Sequence, residues 1–303
     1  MTYTLELTKE QIKLITDKYK DFSIDLTTEY MVFRAKIDLT TLTIYQTNKA
    51  LIQGHKSEKI YKEICELLNI KPTITEKKPK RIDFNFSIIG TDEVGTGDYF
   101  GGITVCACFV PKDKILPIKK LGVMDSKKIS DKNIFEIAPK LIKELEHNVI
   151  YLNNEKYNKV MQIPGMNLNK IKAIMHNKVI LRILEKDIKY DKIIIDGFTT
   201  KDKYFTYLEK QKQVYRDVHL EMQGESKHTA IAAASIIARY YFLKELAKIS
   251  KKYNYNILKG ASNKVDMLIA EIIKNGDKDI LPNIAKLNFK NTKKAQFYLF
   301  NKH

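Results

Sequence analysis

Residues 88–102 read Ile-Ile-Gly-Thr-Asp-Glu-Val-Gly-Thr-Gly-Asp-Tyr-Phe-Gly-Gly. This stretch constrains the chain more than any other. An apolar run ends in two adjacent carboxylates, Asp92 and Glu93, directly before a glycine-rich turn. Apolar alternation at Ile82, Phe84, Phe86 and Ile88 predicts a strand with one face inward, carrying the acids to its end. Like charges held side by side repel, and burial raises the cost further. A divalent cation removes that cost, and hard oxygen donors suit Mg²⁺ or Mn²⁺. Gly95 and Gly97 leave bare backbone whose N–H groups can approach a sugar or a phosphate closely.

The segments around this stretch define two parts. Residues 2–8 alternate like a strand, and Thr8 with Gln11 forms a capping-box pattern opening a helix to about residue 20. Strand-like pieces follow at 31–35, 42–45 and 49–52, ending at Gly54. Helical spacing returns at Ile60, Ile64, Leu67 and Leu68. The order β-α-β-β-β-α describes a compact α+β unit over residues 1–75 with no catalytic constellation. Residues 71–81 hold two prolines and five cations and mark a linker, which is assigned to 76–82 between the two parts. From residue 83 to 303 strands and helices alternate. Ile103 to Val110 reads as a partner strand, with helical patterning at 130–146, 168–187 and 227–248 and strand-like runs at 148–152, 192–196 and 213–220. This is an α/β arrangement: a mixed sheet with helices on its faces.

The charge is unevenly spread. The whole chain carries a formal charge of +17. Residues 1–80 hold 14 Lys and Arg against 11 Asp and Glu, and the remainder 39 against 25. A basic surface on the second part favours a polyanionic partner, with nucleic acid foremost, although heavy Lys, Ile and Asn usage would raise the charge without one. Cys106 and Cys108 fall two apart on an apolar strand, so both are expected in the core. No apolar run reaches the ~18 residues of a membrane span, and the N-terminal residues lack the pattern of a secretory leader. The expected location is the cytoplasm, with no membrane partner.

Two further acids stand where ligands gather. Asp196 closes the run Lys192-Ile-Ile-Ile-Asp196-Gly197, at the carboxyl end of a strand. The same place suits an ordinary strand-end turn residue. Glu225 precedes Thr229-Ala-Ile-Ala-Ala-Ala-Ser-Ile-Ile-Ala-Arg239, a helix small enough to lie close on a sheet. Taken alone, Glu225 also fits a partner for the helix dipole. Asp125-Ser126-Lys127-Lys128 precedes a helix that Ser130 or Asp131 caps, and its lysines and amides suit phosphate. A solvated loop would look the same.

Together these motifs resemble the ribonuclease HIII branch of the type 2 ribonucleases H. The likeness runs through the Gly-Thr-Asp-Glu-Val-Gly-Thr-Gly-Asp-Tyr-Phe-Gly string, Asp125-Ser126-Lys127, Met166-Asn167 to His176-Asn177, Ile195-Asp196 and Glu225 to Arg239. It continues at Ala285-Lys286-Leu287 and Asn291 to Ala295, about 220 residues in order. The resemblance implies a ribonuclease H-like catalytic part and an N-terminal part similar to half of a TATA-binding protein. It makes Asp92, Glu93, Asp196 and Glu225 one site for two Mg²⁺ or Mn²⁺ ions. Asp92 would be shared, Asp196 and Glu225 would hold one ion, and Glu93 the other. Gly95, Thr96 and Gly97 would read ribose 2′-hydroxyls, with Ser126 and Lys127 also on the substrate. The implied activity is endonucleolytic hydrolysis of the RNA strand in RNA–DNA hybrids by a monomer, leaving 5′-phosphate and 3′-hydroxyl ends. A fourth acid that is Glu rather than Asp favours this branch over ribonuclease HII, which cuts at single embedded ribonucleotides. A non-catalytic hybrid-binding protein is a further alternative. Two positions depart from the family pattern: Gly102 replaces a Pro, and Asn288 stands where His is common.

Overall fold

The computed structural model describes residues 2–71, 85–123, 126 and 129–300. The expected strand positions Ile82 and Phe84, the linker 76–82 and Lys127 lie outside them. Internal contacts divide the chain into Met1–Pro79 and Lys80–His303.

The first unit runs β1 (Thr2–Glu6), α1 (Lys9–Tyr19), β2 (Met31–Ile37), β3 (Thr40–Tyr45), β4 (Lys49–Gly54) and α2 (Ser57–Leu67). The capping box forms: Thr8 Oγ1 accepts the Gln11 N–H, and Gln11 Oε1 accepts that of Thr8. The antiparallel sheet has the order β1-β4-β3-β2. Its register places Ala35, Leu42 and Ile52 in one row and Phe33, Ile44 and Ala50 in the next. These side chains are buried with Ile15, Ile60 and Ile64 of the helices. Alternation then puts Arg34, Lys36, Thr41 and Gln53 together on the opposite face.

The second unit opens with β5 (Ile88–Val94) and β6 (Ile103–Val110), followed by α3 (Ile115–Lys120) and α4 (Asp131–Glu144). Next come β7 (His147–Leu152), α5 (Asn154–Met161), α6 (Leu168–Leu184), β8 (Lys192–Asp196), α7 (Lys201–Leu208) and β9 (His219–Glu221). The chain closes with α8 (Thr229–Tyr253), α9 (Asn263–Lys274), α10 (Leu281–Ile284) and α11 (Asn291–Phe300). The sheet order is β7-β6-β5-β8-β9. β6 lies antiparallel to β5 and β7, while β8 runs parallel to β5 and β9. The sheet is therefore mixed.

One face carries α8 and α4. Ile88, Cys106, Cys108 and Ile194 pack there against the Ala230–Ala238 stripe and Ile134, Ala138 and Leu141. The helix comes so near that a β-carbon on Gly90 would lie 2.4 Å from the backbone of Ala230 and Ile231. Burial pushes both cysteine thiols well up, so they remain protonated core groups. The other face carries α6 and α7, with Ile89, Val105, Ala107, Ile193 and Ile195 against Ile171, Val179 and Tyr204. A third cluster joins α9, α10 and α11 to Tyr99, Phe100 and Phe242.

Two strand expectations need correction. Among the described residues of the strand expected from Ile82, 85–87 lie outside the ladder, and β5 runs from Ile88 through both acids to Val94. Ser87 is bonded instead to Asp191, whose N–H reaches the Ser87 carbonyl at 2.8 Å and whose Oδ2 accepts the Ser87 N–H at 2.7 Å. The strand expected over 213–220 is confined to His219–Glu221. The Asn177 side chain satisfies the Gln213 carbonyl and the Tyr215 N–H, so these groups leave the ladder. The helix expected over 227–248 extends to Tyr253 and stops at Asn254, which takes a left-handed conformation.

Candidate active site

Asp92 and Glu93 are consecutive on β5, so their side chains leave the sheet on opposite faces. Asp92 joins Ile88 and Gly90 on the α8 side, and Glu93 joins Ile89 and Thr91 on the α6 side. Even so, Glu93 remains the largest of the charges that act on Asp92. Glu93 is neutralised by the protein: Oε1 meets Lys172 Nζ at 2.5 Å and Oε2 meets His176 Nε2 at 2.8 Å. Burial pushes Glu93 up, but His176 and Lys172 outweigh it and hold the carboxyl below its ordinary range. Asp92 goes the other way. Burial raises it well above the usual value, and Glu93, Asp196 and then Glu225 raise it further.

Asp196 ends β8, the parallel neighbour of β5. Its Oδ1 accepts the Gly224 N–H at 2.7 Å. Gly224 begins the short turn that carries Glu225, which is buried. Glu225 Oε2 accepts from Ser126 Oγ and Ser235 Oγ, each at 3.3 Å, and the two hydroxyls lie 2.8 Å apart. Ser126 is thus tied to the acid from across 99 residues of chain.

Asp92, Glu93, Asp196, the Gly95-Thr96-Gly97 turn and Ser126 line one open pocket. Glu225 stands behind Ser126 and Ser235, its charge still acting on Asp92. Among the described residues, no three His, Cys, Asp or Glu side chains are arranged to hold a metal ion as they stand. The glycines divide by role. Gly95 has φ +99°, and a β-carbon there would meet the Gly102 carbonyl oxygen at 2.4 Å. A β-carbon on Gly97 would meet nothing within 4 Å. Gly102 donates its N–H to Tyr151 Oη at 3.1 Å, a bond that a proline would remove. Asn288 accepts from Tyr157 Oη at 3.1 Å.

Several residues at the pocket were not singled out from sequence. Arg239 and Lys259 line it as cations. Arg239 donates to the carbonyls of Ser126 and Ile129 and to Asp131 Oδ1 at 2.6 Å, and Lys259 reaches Asp131 Oδ2. Lys286 is fully buried, yet its ammonium holds the carbonyls of Asp98 at 2.6 Å and Gly101 at 2.5 Å, bracing the far side of the glycine turn.

A family model described as Ribonuclease HII matches residues 89–292, and one described as a domain of unknown function matches residues 2–78. The chain is 42% identical to ribonuclease HIII of Bacillus mycoides (strain KBAB4), over 87% of this chain and 88% of the relative. It is 39% identical to that of Bacillus pumilus (strain SAFR-032), over 97% and 98%. The chain belongs to the ribonuclease HIII family. A crystal structure of Bst-RNase HIII in complex with Mn²⁺ is similar at a TM-score of 0.69 and 33% identity, covering all of both chains. The ribonuclease H-like mixed sheet flanked by helices is thus the fold of this ribonuclease HIII family member.

The missed residues left some signal in the sequence. Lys172 and His176 are four apart on α6 and share a helix face, which sequence spacing can give. That this face meets Glu93 is a product of the tertiary fold.

Proposed function

We infer that this protein is an endoribonuclease that hydrolyses the RNA strand of RNA–DNA hybrids, leaving 5′-phosphate and 3′-hydroxyl ends. One observation carries the site assignment. Asp92 is buried, crowded by Glu93, Asp196 and Glu225, and opens on the same pocket as the glycine turn. The all-oxygen donors of such a cluster suit Mg²⁺ or Mn²⁺. The residues present therefore fit a divalent centre. Asp92, Asp196 and Glu225 would hold one ion, and Asp92 with Glu93 a second. Bound divalent ions lower the pKa of water and neutralise charge at a scissile phosphate.

The chain's own residues do the rest. The Gly224 N–H fixes the Asp196 carboxylate at the strand end. Ser126 and Ser235 fix that of Glu225. Gly97 leaves open space at the pocket where a ribose with its 2′-hydroxyl can lie against backbone. Arg239 and Lys259 place positive charge at the same wall for the backbone phosphates, and Lys127, next to Ser126 in sequence, is assigned to the substrate with them. Residues 1–75 serve as a substrate-binding platform, with Arg34 and Lys36 on the sheet face away from the core. Residues 76–82 link it to the catalytic part, 83–303. Among the described residues no helix is long and apolar enough to cross a membrane. A cytoplasmic monomer acting in DNA replication and repair is the setting this reading favours.

Cleavage of a uniform RNA–DNA hybrid beside a DNA duplex holding one ribonucleotide, each with Mg²⁺ and with Mn²⁺, tests the assignment. Preference for the hybrid is expected. Cutting confined to the single ribonucleotide would assign ribonuclease HII-like incision, and binding without cleavage a non-catalytic role.

A further inference from the structure

Glu93 is held on both sides by residues of α6. Both of its carboxylate oxygens are taken by cationic or cation-capable groups, Lys172 Nζ at 2.5 Å and His176 Nε2 at 2.8 Å. Because a carboxylate only accepts, His176 presents a hydrogen on Nε2. Its Nδ1 lies 2.8 Å from Thr91 Oγ1, which fixes the ring from the same face of β5. Phe198 closes the arrangement. The Lys172 ammonium sits 4.0 Å from the ring centroid, and the His176 ring stacks on it at 5.3 Å and 20°. His176 is fully buried and Lys172 is 8% exposed. A buried lysine ammonium is costly unless paired, so the protein keeps it against Glu93 for a reason that packing alone does not supply.

We propose that Lys172, braced by His176 and Phe198, is a built-in counter-cation for Glu93 that competes with a divalent ion on that side of the site. The proposal rests on the reading that the four acids hold metal. An ion engaging Glu93 meets a carboxylate already neutralised, and either displaces the ammonium or binds beside it. Both cost affinity, since like charges a few ångströms apart repel even at surface-like screening. Lys172 is thus a positioning residue that makes the two halves of the metal site unequal.

Calorimetric titration of the full chain with Mn²⁺ alone tests this without any turnover. The wild type should bind one ion, with the second weaker by about tenfold or more. Lys172→Met should tighten the weaker step by about fivefold or more, while Lys172→Arg, which keeps the charge, should stay within about twofold of wild type. The gain should vanish when Lys172→Met is combined with Glu93→Gln. Equal affinities in wild type, an unchanged Lys172→Met, or a gain that survives Glu93→Gln would each overturn the proposal alone. Mn²⁺ binding that Asp92→Asn leaves intact would overturn the metal reading itself and this proposal with it. Circular dichroism checks that the variants fold. Should Lys172→Met not fold, Lys172→Gln carries the same expectation, and the wild-type titration decides independently.

Discussion

Asp196 Oδ1 accepts the backbone N–H of Gly224 at 2.7 Å, coupling the end of one strand to the turn that carries Glu225. This hydrogen bond separates structure from chemistry in a mutant. Asn at position 196 retains an acceptor oxygen for Gly224 but loses the negative charge. Asp196→Asn and Asp92→Asn should therefore stay folded, lose turnover, and bind hybrid as well as or better than wild type, because phosphate repulsion falls. Cleavage and filter binding measured side by side check this. Turnover within about tenfold of wild type, a change of about 1.4 kcal/mol, would remove these residues from the site.

The two glycines of the turn should fail differently. Gly95→Ala places a β-carbon against the Gly102 carbonyl at a backbone φ of +99°, so it should destabilise the fold by about 1 kcal/mol or more. Gly97→Val meets open space in the free protein and should leave the denaturation midpoint near wild type. It should nonetheless lower hybrid cleavage by about tenfold or more, because its side chain enters the pocket where backbone must approach sugar. Chemical denaturation and initial rates on both variants give the answer. A fully active Gly97→Val would mean that the turn does not touch substrate.

Periodicity located the strands and the helices α1, α2, α4, α6 and α8, since Ile103–Val110, Lys192–Asp196 and the Ala-rich α8 are each one-dimensional patterns, but it gave no element at α3, α5, α7, α9, α10 or α11. The strand expected over 213–220 is confined to His219–Glu221 because the Asn177 side chain, far off in sequence, takes the Gln213 carbonyl and the Tyr215 N–H. Asp92 and Glu93 were visible as a pair, and the repulsion that their adjacency suggested still raises Asp92. Strand alternation sends them to opposite faces, and Lys172 and His176 answer Glu93. No local pattern around residue 93 carries that information. Likewise, Gly95 and Gly97 look alike in sequence and differ in backbone conformation and in what surrounds them.

Lys286 makes stability depend on pH. Burial pushes its ammonium down to about 7, partly offset by Asp98. A lysine in the unfolded chain titrates near 10.4. Between these values the unfolded state binds a proton that the folded state lacks, so raising the pH favours the folded state. Wild-type stability should rise from pH 7 to 9 with a contribution from this group of up to ~1.4 kcal/mol per pH unit. The neutral amine still carries two hydrogens for the two carbonyls it meets. Lys286→Met should flatten that slope. Urea midpoints at several pH values compare the two chains, and identical slopes would show that Lys286 does not titrate in this range.

Residues 1–75 offer a test of division of labour. They contain their own core around Leu42, Ile44 and Ile64, while the second unit has separate cores on both faces of its sheet. The acids all fall in the second unit, and the first contributes Arg34 and Lys36 on its outer sheet face. A tethered binding platform raises the effective concentration of substrate at the second site without altering the chemistry there. A chain truncated before Lys80 should therefore fold and keep its kcat on hybrid. Its KM should rise about tenfold or more, equivalent to about 1.4 kcal/mol of lost binding. Both parameters must be measured at one salt concentration, because phosphate contacts are salt-dependent. An unchanged KM would show that the first unit does not bind substrate. A lost kcat in a folded truncation would show that it helps to build the active site.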